Sequence, residues 1–468
     1  MNRTVGRKVL AVLVALCLML PLAAACTSPA TSDGSANSGE PVKLKLYMQP
    51  QDDAADATKE MFEWLKGKVE AKFPKYEIEW TRMAPGTDYR QQYDKLLMAG
   101  DGPTMWNGLP YVDIQTRIKS KTIADITDYV KNWDLKKNGK VIDIFDEALS
   151  TSDGHWYAVP YAPYVSGMSY NMQAIKAAGG DPAVQPKTWE EFATLAQKYT
   201  DASVPRFGYT LLGSDYAAWP FTPWVWSAGG EMVRPNDDGT YSVAFNEDPG
   251  VDAAMFMHDL VNVYKCTQTN ILESYDDMQM NMISGRATFG WGTPTWYAPE
   301  NLAKYDQKQE NYGFYPIPGK TADKQVAFAG GEVWTMNPNA TKAQMDACWA
   351  IIQYISYDED FLTEQWKLEN EKGIINANSP ARSDLIEKKY SMATNWPKHW
   401  AGEYAAAMKV AKPEPFCPNW NSLKDEIVPY LQKIITTETI SREEVKAQLD
   451  ACADLLYSKY PDAFKKAK

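Results

Sequence analysis

Val42-Lys43-Leu44-Lys45-Leu46-Tyr47-Met48 alternates apolar and polar side chains. That period of two reads as a β-strand with one face buried. Gln49 to Asp53 follows as a loop. From Ala54 to Phe73 the spacing becomes helical, with Met61, Phe62, Leu65 and Val69 on one face, and Pro74 stops the run. Tyr76-Glu77-Ile78-Glu79-Trp80 alternates again, as a second strand. Asp88 to Ala99 reads as a second amphipathic helix, ended by Gly100-Asp101-Gly102-Pro103. Thr104-Met105-Trp106 is a short third strand. The order β-α-β-α-β predicts an α/β fold with a mostly parallel sheet and helices on both faces. Ligands of such sheets collect beyond the carboxyl ends of the strands. Gln49 to Asp52 and Asn107 to Tyr111 then share one rim, which makes Asp52, Asn107 and Tyr111 candidate ligand contacts.

Farther along, Thr188 with Glu191 three residues later is a capping box that opens a helix at Trp189. Asp248-Pro249 opens another that runs to about Tyr264, and residues 341–356 and 423–436 have helical spacing. The 468-residue length predicts two or three domains.

Toward the amino end, Arg3, Arg7 and Lys8 precede an apolar run from Val9 to Leu20, and Leu22-Ala23-Ala24-Ala25-Cys26 closes it. This is the layout of an export signal, with an apolar core shorter than a membrane span. The cysteine after the small residues resembles the lipobox of bacterial lipoproteins, although Ala23 stands where leucine is commoner. The resemblance implies that residues 1–25 are removed and that Cys26 carries a lipid anchored in the membrane. Residues 26–41 are rich in Ser, Thr, Ala, Gly, Asn and Pro, which reads as a flexible tether.

The composition is 45% hydrophobic and 23% charged, ordinary for a soluble globular protein, with a net charge of −12. That charge argues against nucleic acid and anionic membrane surfaces as ligands. His155, His258 and His399 form no spaced pair, so a histidine zinc site is not expected. Cys266, Cys348, Cys417 and Cys452 form no C-x-x-C pair; two disulfides or four buried thiols are both open. No nucleophile elbow, phosphate loop, H-E-x-x-H or dinucleotide motif is present, and no cofactor is expected. The chain carries 17 Trp and 27 Tyr. Aromatic faces fill cores, and they also stack on the C–H faces of sugar rings.

Five stretches, in order, resemble the bacterial extracellular solute-binding proteins of the carbohydrate type, the group that includes maltose-binding proteins. They are Gly102-Pro103-Thr104-Met105-Trp106, with Thr104 at a usual Asp; Gly154-His155-Trp156-Tyr157-Ala158-Val159-Pro160 with Ser169-Tyr170-Asn171; Pro186-Lys187-Thr188-Trp189-Glu190-Glu191-Phe192; Met282-Ile283-Ser284-Gly285-Arg286-Ala287-Thr288-Phe289 with Gly292 to Trp296; and Tyr312 to Gly319 with Gly330-Gly331-Glu332. The resemblance implies a two-lobed, periplasmic-binding-protein-like fold, with parallel-sheet lobes joined by a hinge of several crossings. The lobes expected are residues 42–162 with 319–357, and 163–318 with 358–468. It also implies a carbohydrate ligand in the cleft, lobes that close over it, a monomer, and an ABC importer permease as partner.

By the same resemblance Trp219, ahead of Gly229-Gly230, and Trp296, after Gly292-Thr293-Pro294-Thr295, are expected as stacking platforms. Trp224 is either a third platform or core. Tyr161 and Tyr164 follow the hinge-like Val159-Pro160 and are expected to face the cleft or to pack the hinge. Glu332 ends a strand, where a carboxylate can accept two sugar hydroxyls. Arg382 resembles a position near the cleft, or forms a salt bridge between lobes. Two other readings remain open. A cell-surface glycoside hydrolase needs two carboxylates at catalytic separation; a binding protein for a peptide or polyamine is the other, and a polyamine site needs several acids facing aromatics.

Overall fold

A computed structural model describes residues 41–84, 89–214, 216–292, 302 and 305–467. The export segment, Cys26, the tether and Trp296 lie outside the described residues.

The opening stretch folds as its pattern predicts. Strand β1 (Val42–Tyr47) pairs in parallel with β2 (Tyr76–Thr81) along its whole length and with β3 (Met105–Pro110) at Leu46. Helices Asp56–Lys72 and Tyr89–Met98 make the crossovers. Leu44, Leu46 and Met105 pack with Val69, Trp334, Ile351 and Phe361 in one core.

Two long strands carry the chain onward. Strand β4 is Val159–Asn171 and β10 is Ala327–Met336. Between them come β5 (Phe207–Thr210), β6 (Val233–Pro235), β7 (Tyr241–Val243), β8 (Ala287–Gly292) and β9 (Tyr312–Tyr315), and β11 (Ala411–Pro413) follows. From Val159 to Ser166, β4 pairs antiparallel with β10, which in turn pairs with β3. From Gly167 to Asn171 the same strand pairs with β8 and β9. One strand therefore serves both halves of a mixed sheet, ordered β2-β1-β3-β10-β4-β8-β5. The sheet is parallel toward both ends, as expected for an α/β fold, and the strands that cross between its halves pair antiparallel. Gly167 is needed at the switch, since an added Cβ there would lie 2.5 Å from the Tyr315 carbonyl oxygen.

Beyond the switch, helices Trp189–Tyr199, Ala218–Ser227, Asp248–Asn262, Trp420–Thr436 and Arg442–Lys459 pack a second core around Phe192, Trp224, Phe256, Phe289, Leu423 and Leu449. The capping box at Thr188 and Glu191 forms as predicted. One expected boundary is corrected. Helix Glu359–Glu371 does not join the second core but lies on helix Asp56–Lys72, through Lys68–Glu364 at 2.6 Å and Trp64 against Phe361 at 5.0 Å between ring centroids. The chain is still with the first core at residue 371, past the exit expected at 357. Cys266, Cys348, Cys417 and Cys452 are four separate buried thiols, so of the two open readings the disulfides are not formed.

Candidate ligand site

The parallel run of β1, β2 and β3 puts their carboxyl ends on one rim. Tyr47, Gln49 and Gln51 from the first, Arg82 and Met83 after the second, and Asn107 in the third line a cavity of about 470 Å³. Arg82 fixes the loops, donating to the Pro50 carbonyl at 2.8 Å and to the Asp52 carboxylate. Asp52 is 88% exposed and is not among the lining residues; what it does here is hold Arg82.

Tyr161 lines this cavity and an adjoining one of about 160 Å³, which Glu332 also lines. A bulge between Glu332 and Val333, opposite Ala162 and Pro160, leaves Tyr161 out of the strand pairing. Burial pushes the Tyr161 hydroxyl up to about 12, with Asn107 as its hydrogen-bonding neighbour and Glu332 and Glu369 nearby. Burial also pushes the Glu332 carboxyl up to about 7. An unfolded glutamate ionises near 4.5, so between those values the folded chain keeps a proton that the unfolded chain has lost. Its contribution to stability is greatest below the unfolded value and falls as pH rises toward 7. Urea midpoints from pH 4.5 to 7.5 are expected to show Glu332→Gln gaining on the unaltered protein by on the order of 2 kcal/mol across that window; parallel curves would refute it.

Farther along β4, Tyr164 lies over Gly330, where an added Cβ would come within 2.3 Å of the ring Cζ. Only glycine leaves that ring room. The Tyr164 hydroxyl is pushed up by burial first, then by Glu414, Glu332, Tyr275 and Tyr89. Those neighbours come from β11's end, β10, helix Tyr275–Ile283 and helix Tyr89–Met98. Trp219 joins from helix Ala218–Ser227: it is half-buried, edge-on to Trp291 at 4.1 Å and 6.0 Å from Tyr275. Tyr216, 59% exposed, extends the row at 6.1 Å from Tyr275. Glu414 is buried, its carboxylate accepting from Trp420 Nε1 and Lys424 Nζ, each at 2.7 Å. Aromatic faces with a carboxylate nearby suit a solute that is apolar on its flat sides and hydroxylated at its edges. Among the described residues no group of three or more His, Cys, Asp or Glu side chains is placed to hold a metal.

The structure thus gathers Asn107, Tyr161 and Glu332 around the paired cavities, and Tyr164 and Trp219 in the aromatic row. Three candidate contacts lie elsewhere, Trp224 in the core as one of its two open readings had it. Trp224 is 2% exposed and packs among Phe192, Trp189 and Phe256, so its ring is core. Tyr111 is buried against Phe145, and its hydroxyl donates to the Ala329 and Glu414 carbonyls. Arg382 is buried and committed to Asp384 and the Tyr357 carbonyl, inside the first half of the molecule. Trp219 sits on the first turn of a helix that contains Pro220 and Pro223. The sequence reading missed Tyr89, Tyr216, Tyr275 and Glu414. Nothing local marks them, because only the fold brings their four segments together.

Two α/β cores sharing crossing strands, with aromatic side chains and carboxylates where they meet, define a two-lobed binding protein. The chain belongs to the family of bacterial extracellular solute-binding proteins, which residues 64–394 match. Among curated relatives it is 25% identical over 414 residues to the diacetylchitobiose binding protein DasA of Streptomyces coelicolor, covering 86% of this chain and 85% of that one. Among solved structures it resembles the GacH receptor of Streptomyces glaucescens, solved unliganded and with acarbose, at a TM-score of 0.70 and 20% identity over 90% of this chain and 99% of that one. An ABC transporter solute-binding protein from Thermotoga lettingae, bound with α-D-tagatose, also gives 0.70 at 20% identity, over 89% of this chain and 100% of that one. The family is extracytoplasmic. No helix of the described residues is long and apolar enough to cross a membrane.

Proposed function

We propose that this protein is the carbohydrate-binding subunit of an ABC importer, held at the outer face of the cell membrane by a lipid on Cys26. The observation that carries the ligand class is the aromatic row: Tyr89, Tyr164, Trp219, Tyr216 and Tyr275 come from four segments, with Glu414 acting on Tyr164. Trp219 is the central platform, Tyr164 the floor, and Trp296 an added platform by its place in the sequence. Asn107 and Tyr161 bound the site on the strand-end side. The relatives' solutes, among them diacetylchitobiose, acarbose and tagatose, are of the same chemical class. The lobes move about β4 near Ser166–Gly167 and about the segment between β9 and β10, where strand partners change. A row of several rings favours an oligosaccharide, since each sugar ring uses its own platform. The bound state is then delivered to the permease.

A thermal-shift screen of mono- and oligosaccharides tests this, since a ligand that binds only the folded state raises the melting temperature. An oligosaccharide is expected to give the largest shift. A shift with no carbohydrate, or sustained cleavage of the glycan, overturns the reading. For the anchor, Cys26→Ala is expected to yield protein with no covalent lipid, released from the membrane fraction. A lipidated Cys26→Ala protein would refute it.

A further inference from the structure

The cavity of about 160 Å³ beside Tyr161 is lined by two side chains of opposite charge, Glu332 and Lys389, and by Asn376 and Ser379. Lys389 is 6% exposed. Its ammonium donates to the Asn378 carbonyl, and among the described residues it has no ion-pair partner. Burial lowers it to about 8, with Glu369 acting in the opposite sense. Glu332 likewise has no ion pair among the described residues, and nothing but burial and its own backbone acts on it strongly. A buried charge without a partner is costly, and one lining a cavity can be satisfied by whatever enters.

We propose that this cavity is a binding site for a small zwitterion, an α-amino acid with a short side chain. The amino acid's ammonium pairs with Glu332 and its carboxylate with Lys389. Asn376 and Ser379 add polar edges; the Asn376 amide is held by Glu369 at 3.0 Å and the Ser379 hydroxyl by Tyr390 at 2.9 Å. The size fits. A cavity of roughly 150 Å³ takes a six-heavy-atom guest such as benzene, and glycine, alanine and serine are of that size. A way in exists, because Tyr161, Leu65, Gln365 and Asn376 line both this cavity and the larger one at the strand ends. A simple amine would satisfy Glu332 alone and a simple acid Lys389 alone. A neutral sugar would leave both charges unpaired. Its two charges, and not the rings, select the guest, so the site does not depend on which solute the aromatic row takes.

Calorimetric titration of the full folded chain with glycine, L-alanine and L-serine tests the proposal, with methylammonium and acetate as single-charge probes. At least one amino acid is expected to bind at a 1:1 ratio, about tenfold or more tighter than either single-charge probe. Lys389→Gln is expected to remove that advantage while leaving methylammonium binding and the melting curve in place. Should the variant fail to fold, the probe comparison on the unaltered protein still decides. No heat with any amino acid, or methylammonium binding as tightly as the best of them, overturns the site. So does competition: a carbohydrate that displaces the amino acid one for one would make the cavity part of the sugar site.

Discussion

Trp219→Ala is expected to weaken carbohydrate binding by about 10- to 100-fold, the scale of losing one well-placed aromatic contact. The ring is half-buried, with Tyr275 beside it and Tyr216 beyond. Its inner edge packs on Trp291 and Phe328, at 4.1 and 5.9 Å. That packing means the fold is also touched: a stability loss of about 1–2 kcal/mol is expected, below that for a fully buried ring. Trp219→Phe keeps a flat face and is expected to restore most of the affinity. Calorimetry with the best oligosaccharide and urea unfolding of both variants separate the effects. Unchanged affinity in Trp219→Ala would remove the platform role.

Trp224→Ala is expected to do the reverse. Five residues along the same helix, this ring is enclosed by Phe192, Trp189 and Phe256, at 5.8, 6.0 and 5.1 Å between centroids. Truncation leaves a cavity the size of an indole in the second core, and about 3–5 kcal/mol of stability goes with it. The folded fraction is expected to bind carbohydrate with little change, because no part of the ring reaches the aromatic row. A variant that keeps its urea midpoint but loses affinity would put Trp224 in the site and not the core.

The contrast between these two tryptophans shows what sequence alone could settle. Both sit in one Pro-rich aromatic stretch; family resemblance singled out Trp219 and left Trp224 open between platform and core. The helix decides: its turn points Trp224 inward and leaves Trp219 at the edge. Other features were legible in the chain. The alternation at Val42–Met48, the helical spacing through Val69 and the renewed alternation at Tyr76 specified a parallel βαβ unit, because side-chain period and short crossovers leave few other arrangements. That unit sets the rim at Gln49 and Asn107. The capping box at Thr188 is equally local, needing only two side chains and the backbone between them. Tyr89, Tyr164, Tyr275 and Glu414 are the opposite case. They lie far apart in the chain, and each alone is an ordinary surface or core residue. Glu332 and Lys389 are likewise unremarkable charges in sequence. Their meaning comes from one cavity that both line, with no ion pair between them. The sequence determined the strands, the crossovers and the rim, which depend on neighbours along the chain. Only the tertiary structure decided which aromatics face the solute and which charges go unpaired, because burial and distance arise from segments brought together by the crossing strands.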